Sequence, residues 1–541
     1  MNFLQYIKKN TIYTLLFGAF VALIYSPLVF TASYCADLEY VQGAKGKIYN
    51  WNELGRYTLI ILKKITFTPY NRILEGVLFI ITAILTVFAL SYLFYLLNKK
   101  ANSVTLFILS AITLIFPTFC EQYYFKFQSF EVLFGIFLTV VSGILFIKFM
   151  ETDKLIFLPI PVVLNVLSFG IYQSMLNIML VIYAGIFLML FLNNIEYDKV
   201  KAFIVMALQF VAAFFLNRLV TFIFCEKSSY FSDKIMWKQY PFDTCYHFVK
   251  HYFRVVLLAE TPMYTFAFAV SIVLSLLALI ALFITVWNKN EKFTLLFSLL
   301  GFAGLIIGPF VIAIIQGFEP DSRTQLALPF SIAFLCFFTY GVTEKFVLFI
   351  KEVKKLSRFH KDDDDNDEEE KADDSKKKSH SFMIYFLTGG LIIILLLNLI
   401  PTLRLTYTRM MINKSDRKHL TAIAEDLKNY HCDSAYPLNP VIFIGTLPYE
   451  CGGFGYQYDS KQKEYILINA FTLDSKTNPE YFFSTNRAIS AMECLGYEYN
   501  KPEKSIYMKK AKETAANLPS YPDEGYIEQA DGYVVVNLGN Y

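Results

Sequence analysis

The sequence predicts a mainly α-helical fold: a polytopic membrane bundle of about eleven spans, residues 1–402, followed by a small extracytoplasmic α/β domain, residues 403–541. Three observations predict it. Apolar runs near the ~20 residues that cross hydrocarbon recur through the first part of the chain. Of 541 residues, 55% are hydrophobic and 17% aromatic, with a mean hydropathy of +0.43. Soluble domains are more polar than this, and the 54 Phe and 37 Tyr suit aromatic belts at two interfaces. Lysines gather in alternate loops, and the last segment turns polar.

The apolar runs are 11–32, 72–97, 102–119, 129–149, 155–171, 173–192, 201–224, 264–287, 293–315, 325–348 and 381–402. The first lacks a small-residue cleavage site and reads as a retained anchor. The stretch 155–192 reads either as two short helices or as one span with a re-entrant segment. Lys8 and Lys9 precede the first span. Lys99 and Lys100, Lys148 and Lys154, Lys199 and Lys201, and Lys289 and Lys292 follow on the same side. The positive-inside rule therefore puts the N-terminus in the cytoplasm and the C-terminal domain outside a multi-pass cell-membrane protein. Between Lys361 and Lys378 lie Asp362–Asp365, Glu368–Glu370 and Lys376–Lys378. Such a run buries no apolar surface and predicts a disordered cytoplasmic loop over about 352–380. A net charge of +3 gives no footprint for a nucleic-acid partner.

Seven of the eight cysteines (Cys35, Cys120, Cys225, Cys245, Cys432, Cys451 and Cys494) map to the outer side, and Cys336 falls in a span. Cys225 with Cys245, or two among the last three, are candidate disulfide pairs in an oxidising space, with the connectivity left open by the sequence. No CxxC pair or His/Cys cluster points to zinc.

The outward loops carry the chemistry. Asp37 and Glu39 follow the first span in Tyr34-Cys35-Ala36-Asp37-Leu38-Glu39-Tyr40. A carboxylate held at the membrane surface suits removal of a proton from a sugar hydroxyl, against the plain alternative of a solvated loop. In Trp51-Asn52-Glu53-Leu54-Gly55-Arg56-Tyr57 and the following Thr58–Lys64, Leu54, Tyr57, Ile61 and Leu62 share a helical face. This reads as an interfacial helix with Trp51 and Tyr57 at headgroup level. Arg56 suits a substrate phosphate, because its planar fork pairs with two oxygens, and suits a lipid headgroup equally. Glu121 ends a span on the same side, as a ligand to a metal or sugar hydroxyl or as an ordinary helix-end carboxylate. Tyr172, Gln173, Ser174 and Asn177 sit at the outer end of a span. Arg218 lies seven residues before Cys225, roughly 10 Å below the surface, and is expected to face a cavity. The loop 225–263 mixes aromatics with charges, among them Asp233, Lys234, Trp237, Lys238, Asp243, Lys250 and Arg254. His247 and His251 there are spaced to share a helix face without a compelling third metal ligand. Glu319-Pro320-Asp321-Ser322-Arg323 adds Arg323 as a second phosphate candidate.

In the C-terminal domain, Ser415–Tyr430 and Arg487–Leu495 read as helices. The segments 441–445, 465–468 and 533–536 read as strands. Gly452-Gly453-Phe454-Gly455 lacks the lysine and Ser/Thr of a P-loop. Asn413-Lys414-Ser415 fits a glycosylation sequon, a triplet common by chance. The domain is expected to cap the site.

Taken in order, Asp37 with Glu39, Gly55-Arg56-Tyr57, Glu121, Phe169-Gly170-Ile171-Tyr172-Gln173-Ser174 and Ile442-Phe443-Ile444-Gly445 resemble the GtrII-type membrane glucosyltransferases. That resemblance implies the GT-C class, in which a helical bundle takes a sugar, here glucose, from a polyprenyl-phosphate donor. The acceptor is O-antigen, another surface polysaccharide or another cell-envelope acceptor. It implies inverting transfer with Asp37 as base and with Arg56, Arg218 or Arg323 on the departing polyprenyl phosphate. Glu39 or Glu121 then orients the acceptor or holds a divalent metal, Mg or Mn. The chain departs from the family pattern at Asp37-Leu38-Glu39, where two adjacent aspartates are usual, and at Tyr57, where Trp is usual. A lipid-linked sugar flippase would show an internal repeat with charges at the midplane; none is evident. An acyltransferase or polymer ligase would call for more histidines or an Arg-rich outer loop. A non-catalytic envelope-assembly protein would retain its function without Asp37 and Glu39.

Overall fold

The computed structural model describes residues 3–31, 35, 49–66, 71–192, 198–226, 235–237, 239–287, 292–317, 320–359, 368–430, 432, 439–459, 464–472, 482–502 and 506–540. Asp37, Glu39, Asp233, Lys234, Lys238, Lys289 and Glu319 lie outside the described residues. The chain is mainly helical. Its first half holds α1 (Phe3–Val29), α2 (Tyr49–Glu53), α3 (Tyr57–Ile65), α4 (Arg72–Leu97), α5 (Ser103–Leu114), α6 (Pro117–Tyr124), α7 (Ser129–Thr152), α8 (Pro159–Phe169), α9 (Met175–Leu192) and α10 (Lys199–Phe224). Then come α11 (Pro241–Lys250), a π-helix (His251–Leu257), α12 (Ala267–Trp287), α13 (Lys292–Ile307), α14 (Val311–Gln316), α15 (Leu328–Phe359) and α16 (Glu368–Leu427).

Eight helical runs among the described residues are long and apolar enough to cross a membrane, and nine if α5 and α6, bent by 53°, form one broken span. The expected count of about eleven is reached neither way. The run at 155–171 folds as the short α8, opened by Pro159 and closed at Gly170. The run at 325–348 folds as α15, whose apolar stretch gives way to Glu344 and Lys345. The described parts of 352–380 are helical, as the end of α15 and the start of α16, with 360–367 outside the described residues. Glu and Lys make up seven of the eleven residues 368–378, and both are strong helix formers.

The α5–α6 break shows how the bundle satisfies an interrupted backbone. Pro117 opens α6, as its missing N–H allows at a helix start. The Tyr25 hydroxyl donates to the Leu114 carbonyl at 3.0 Å and accepts from Phe116 N at 3.1 Å. Around the break Tyr123 meets Tyr25 and Phe79 edge-on, at centroid distances of 4.9 and 4.8 Å. Aromatic pairs prefer this geometry.

The polar domain has a three-stranded sheet in the order β1-β3-β2, with β1 (Val441–Gly445), β2 (Ile527–Ala530) and β3 (Tyr533–Gly539). β1 runs parallel to β3 (Val441 opposite Val534) and β2 antiparallel (Ile527 opposite Val536). Both β1 and β3 are buried throughout and read as continuous apolar runs, as strands covered on both faces do. Helices α17 (Phe482–Glu493) and α18 (Ile506–Ala515) pack on the sheet. Leu420, Ile423, Ala424 and Leu427 of α16 are buried together, as their spacing predicts. The segment 465–468 is a single 3₁₀ turn (Tyr465–Leu467) rather than the expected strand. Cys225, Cys245 and Cys451 carry free thiols, so Cys225 and Cys245 are not joined to each other and Cys451 is in no disulfide.

Candidate active site

The site begins at a turn. Gly55 has φ +70°, in the left-handed region that glycine favours, and ends α2. Its N–H donates to Asn52 O and the Arg56 N–H to Trp51 O, both at 2.9 Å, the pairing of a Schellman C-cap. The turn delivers Arg56 to the N-cap of α3. The first N–H groups of a helix need external acceptors. Here Thr58 N and Leu59 N donate to the Gly170 carbonyl at 3.0 and 3.3 Å. The Tyr57 hydroxyl donates to Val166 O at 2.7 Å and to Asn217 Oδ1 at 2.9 Å. Gln173 Nε2 donates to Leu54 O at 2.8 Å. A Cβ on Gly170 would lie 2.5 Å from the Tyr57 ring, so this approach requires glycine. Gly55-Arg56-Tyr57 and Phe169–Ser174, over a hundred positions apart, are thus one structural unit.

Arg56, Tyr172, Gln173 and Arg323 line a single polar cleft with Ser174, Asn177, Gln316, Asp321 and Gln325. The Arg56 guanidinium lies over the Tyr172 ring at 4.8 Å, and its Nη1 donates to Gln128 Oε1 at 3.0 Å. Burial pushes the Tyr172 phenol above its ordinary value, and the two arginines oppose that shift. Asn177 holds the facing wall: its Nδ2 donates to Pro309 O at 2.8 Å, and its Oδ1 accepts from Ile312 N at 3.3 Å. Arg323 stacks on Phe125 at 4.4 Å and Tyr465 at 5.1 Å, with Asp321 at 3.8 Å. Glu121 sits behind this wall, 1% exposed, accepting from Ser322 Oγ at 2.7 Å, with Arg323, Asp321 and Glu464 in electrostatic range.

Of the residues the sequence nominates, Arg56, Tyr172, Gln173 and Arg323 therefore meet in one cleft, with Glu121 one side chain behind. Arg218 does not join them. It lies on the exposed face of α10, over the Phe214 ring at 5.4 Å, rather than in a cavity. Its neighbour Asn217 takes the inward position, because consecutive helical residues are turned by 100°. Trp51 stacks on Phe127 at 5.5 Å and is 7% exposed, and Tyr57 is buried, so both rings pack against protein, while Ile61 of α3 stays 49% exposed. His251 is buried and His247 exposed, so they do not converge on one ligand.

Sequence reasoning missed two groups. Lys63 of α3 forms ion pairs with Glu75 at the start of α4 and with Glu131 at the start of α7, the latter at 2.6 Å. All three are buried, which fixes α3 beneath the cleft. Their interrupted amphipathic spacing carried the only signal. The second is Tyr465, contributed by the polar domain, whose approach to Arg323 is invisible along the chain. Among the described residues no three His, Cys, Asp or Glu side chains gather as a metal site.

A family model described as Glucosyl transferase GtrII matches residues 28–340. No curated protein and no solved structure matches the chain. The matched span holds Asp37, Glu39 and the cleft residues up to Arg323. It stops short of the polar domain, including the strand Ile442–Gly445 and Tyr465.

Proposed function

The chain belongs to the GtrII glucosyltransferase family, and we propose that it moves glucose from a polyprenyl-phosphate donor to a polysaccharide or other cell-envelope acceptor on the outer face of a membrane. The observation that carries this reading is the single cleft lined by both Arg56 and Arg323. Each guanidinium lies against an aromatic face, and the planar fork of an arginine is suited to pairing with anionic oxygens. Two such groups suit a phosphate whose charge grows as it departs. Eight helical runs among the described residues are long and apolar enough to cross the kind of bilayer in which a polyprenyl chain dissolves.

In the proposed reaction Asp37 takes the proton of the acceptor hydroxyl. The hydroxyl oxygen forms a bond to the anomeric carbon from the face opposite the phosphate. The bond from that carbon to the phosphate oxygen breaks, and polyprenyl phosphate leaves with the electron pair, its charge met by Arg56 and Arg323. Configuration inverts. Glu39 orients the acceptor. Cys35, two positions before Asp37, is buried beside Lys126, whose Nζ donates to Thr31 O at 2.7 Å. Lys126 in turn is two positions from Gln128, the partner of Arg56. The ends of the chain near Asp37 and the cleft thus share one neighbourhood, which supports the assignment.

The test is transfer in isolated membranes from radiolabelled polyprenyl-phosphate-glucose, with wild type beside Asp37→Asn. Label in surface polymer with wild type alone supports both the reaction and the base. An active Asp37→Asn protein removes Asp37 from that role. No transfer by folded wild type with native acceptor overturns the donor.

A further inference from the structure

The segment joining α10 to α12 has three faces. One turns inward: Thr244, His251 and Val256 are buried, and Phe248 and Tyr252 meet Phe310 edge-on at 6.4 and 5.2 Å. A second is polar and exposed, with Asp243, His247, Lys250 and Arg254. The third is neither. Phe242, Tyr246, Val249 and Phe253 recur at intervals of four, three and four residues, the spacing of a single helical stripe. They are 88%, 63%, 52% and 57% exposed. Single exposed apolar side chains are ordinary, but a contiguous stripe that includes two phenylalanines marks a contact surface.

We propose that this stripe lies in the surface of the bilayer, on the cleft side of the protein, with its apolar side chains at the headgroup–acyl boundary of the phospholipid. Position argues for this occupant. The segment connects the end of α10 to the start of α12, two runs long and apolar enough to span, so it sits where two spans leave the hydrocarbon. Continuity argues for it too. Apolar exposure runs on through Phe222 and Phe224 at the end of α10, and through Leu258 and Phe266 before α12. The arrangement of a protein face, a lipid face and a water face that carries His247, Lys250 and Arg254 is that of an interfacial helix. The same segment packs against residues at the cleft. Gln325 Nε2 lies 2.8 Å from His251 Nε2, Trp237 Nε1 donates to Ile314 O at 2.6 Å, and Met236 N donates to Gln316 O at 2.9 Å. The lipid contact and the cleft wall are two faces of one element. This inference requires only that α10 and α12 cross a bilayer, and it is independent of the sugar-transfer reading.

The test is fluorescence of the full chain reconstituted in phosphatidylcholine vesicles, with and without brominated acyl chains. Phe242→Trp and Tyr246→Trp on the stripe are compared with His247→Trp on the polar face. Emission of the unsubstituted protein, with its three native tryptophans, is subtracted. The stripe variants are expected to lose about half of their added emission to bromolipid and little to iodide, and His247→Trp the reverse. Iodide quenching of the stripe without bromolipid quenching would put it in water and overturn the proposal. Protection from both quenchers would assign the stripe to a second copy or a protein partner, and would overturn it equally. Two stripe variants keep the test decisive if one fails to fold.

Discussion

Arg323 lies against Phe125 and Tyr465, and Arg56 lies over Tyr172. A guanidinium stacks through its weakly hydrated face and binds anions through its edge, which an ammonium cannot do. Arg323→Ala is therefore expected to lower kcat/KM for the lipid donor by about 10²-fold, with Arg323→Lys recovering little of it. Initial rates in membranes at matched protein level check this. Glu121 gives a different kind of prediction, because it accepts from Ser322 inside the wall. Glu121→Gln keeps a carbonyl acceptor and should leave thermal stability nearly unchanged. Glu121→Leu strands the Ser322 hydroxyl and should cost about 1–3 kcal/mol, read as a lower unfolding temperature in detergent. Arg56 and Arg323 are nominated by residue type and by position in loops between apolar runs, and the fold brings them to one cleft. Arg218 is nominated by its depth within a run and lies on the exposed face of α10, since a helix face is decided by its neighbours and not by depth.

At the scale of elements, α3 is the part on which the cleft depends. Gly170 receives its first N–H groups, Tyr57 ties it to α8 and α10, and Lys63 ties it to α4 and α7. Removing one member of a buried ion cluster leaves charge without compensation. Lys63→Met should therefore destabilise the protein by about 3–5 kcal/mol, and adding Glu75→Gln with Glu131→Gln should restore part of that. Thermal unfolding of the single and triple variants measures it. The sequence marks 54–62 as amphipathic but assigns its apolar face to lipid. Protein and lipid present equally apolar surfaces, so periodicity alone does not separate them.

The whole molecule joins bundle and polar domain through Arg409. This side chain is 1% exposed, lies over the Tyr124 ring at 4.6 Å, and donates to Ile468 O at 2.6 Å. That contact holds the 3₁₀ turn from which Tyr465 reaches Arg323. The polar domain lies beyond the family match, yet it supplies a ring to the cleft wall. Tyr465→Ala is expected to weaken donor use several-fold, mainly through KM, on the roughly 1–2 kcal/mol scale of a partly buried cation–π contact. Tyr465→Phe should behave as wild type. Steady-state kinetics on the two variants distinguishes a ring contact from a hydroxyl role.

By itself the sequence determined the helical class, most of the apolar runs and two of the strands of the polar domain. Each of these follows from local composition or from spacing within one element. Only the tertiary structure decided that Gly55-Arg56-Tyr57 caps against Gly170, that Lys63 is shared by two glutamates, that Arg218 lies on the exposed face of its helix, and that Tyr465 packs against Arg323. These depend on which distant segments meet, and chain-distant contacts leave no period in the sequence from which to read them.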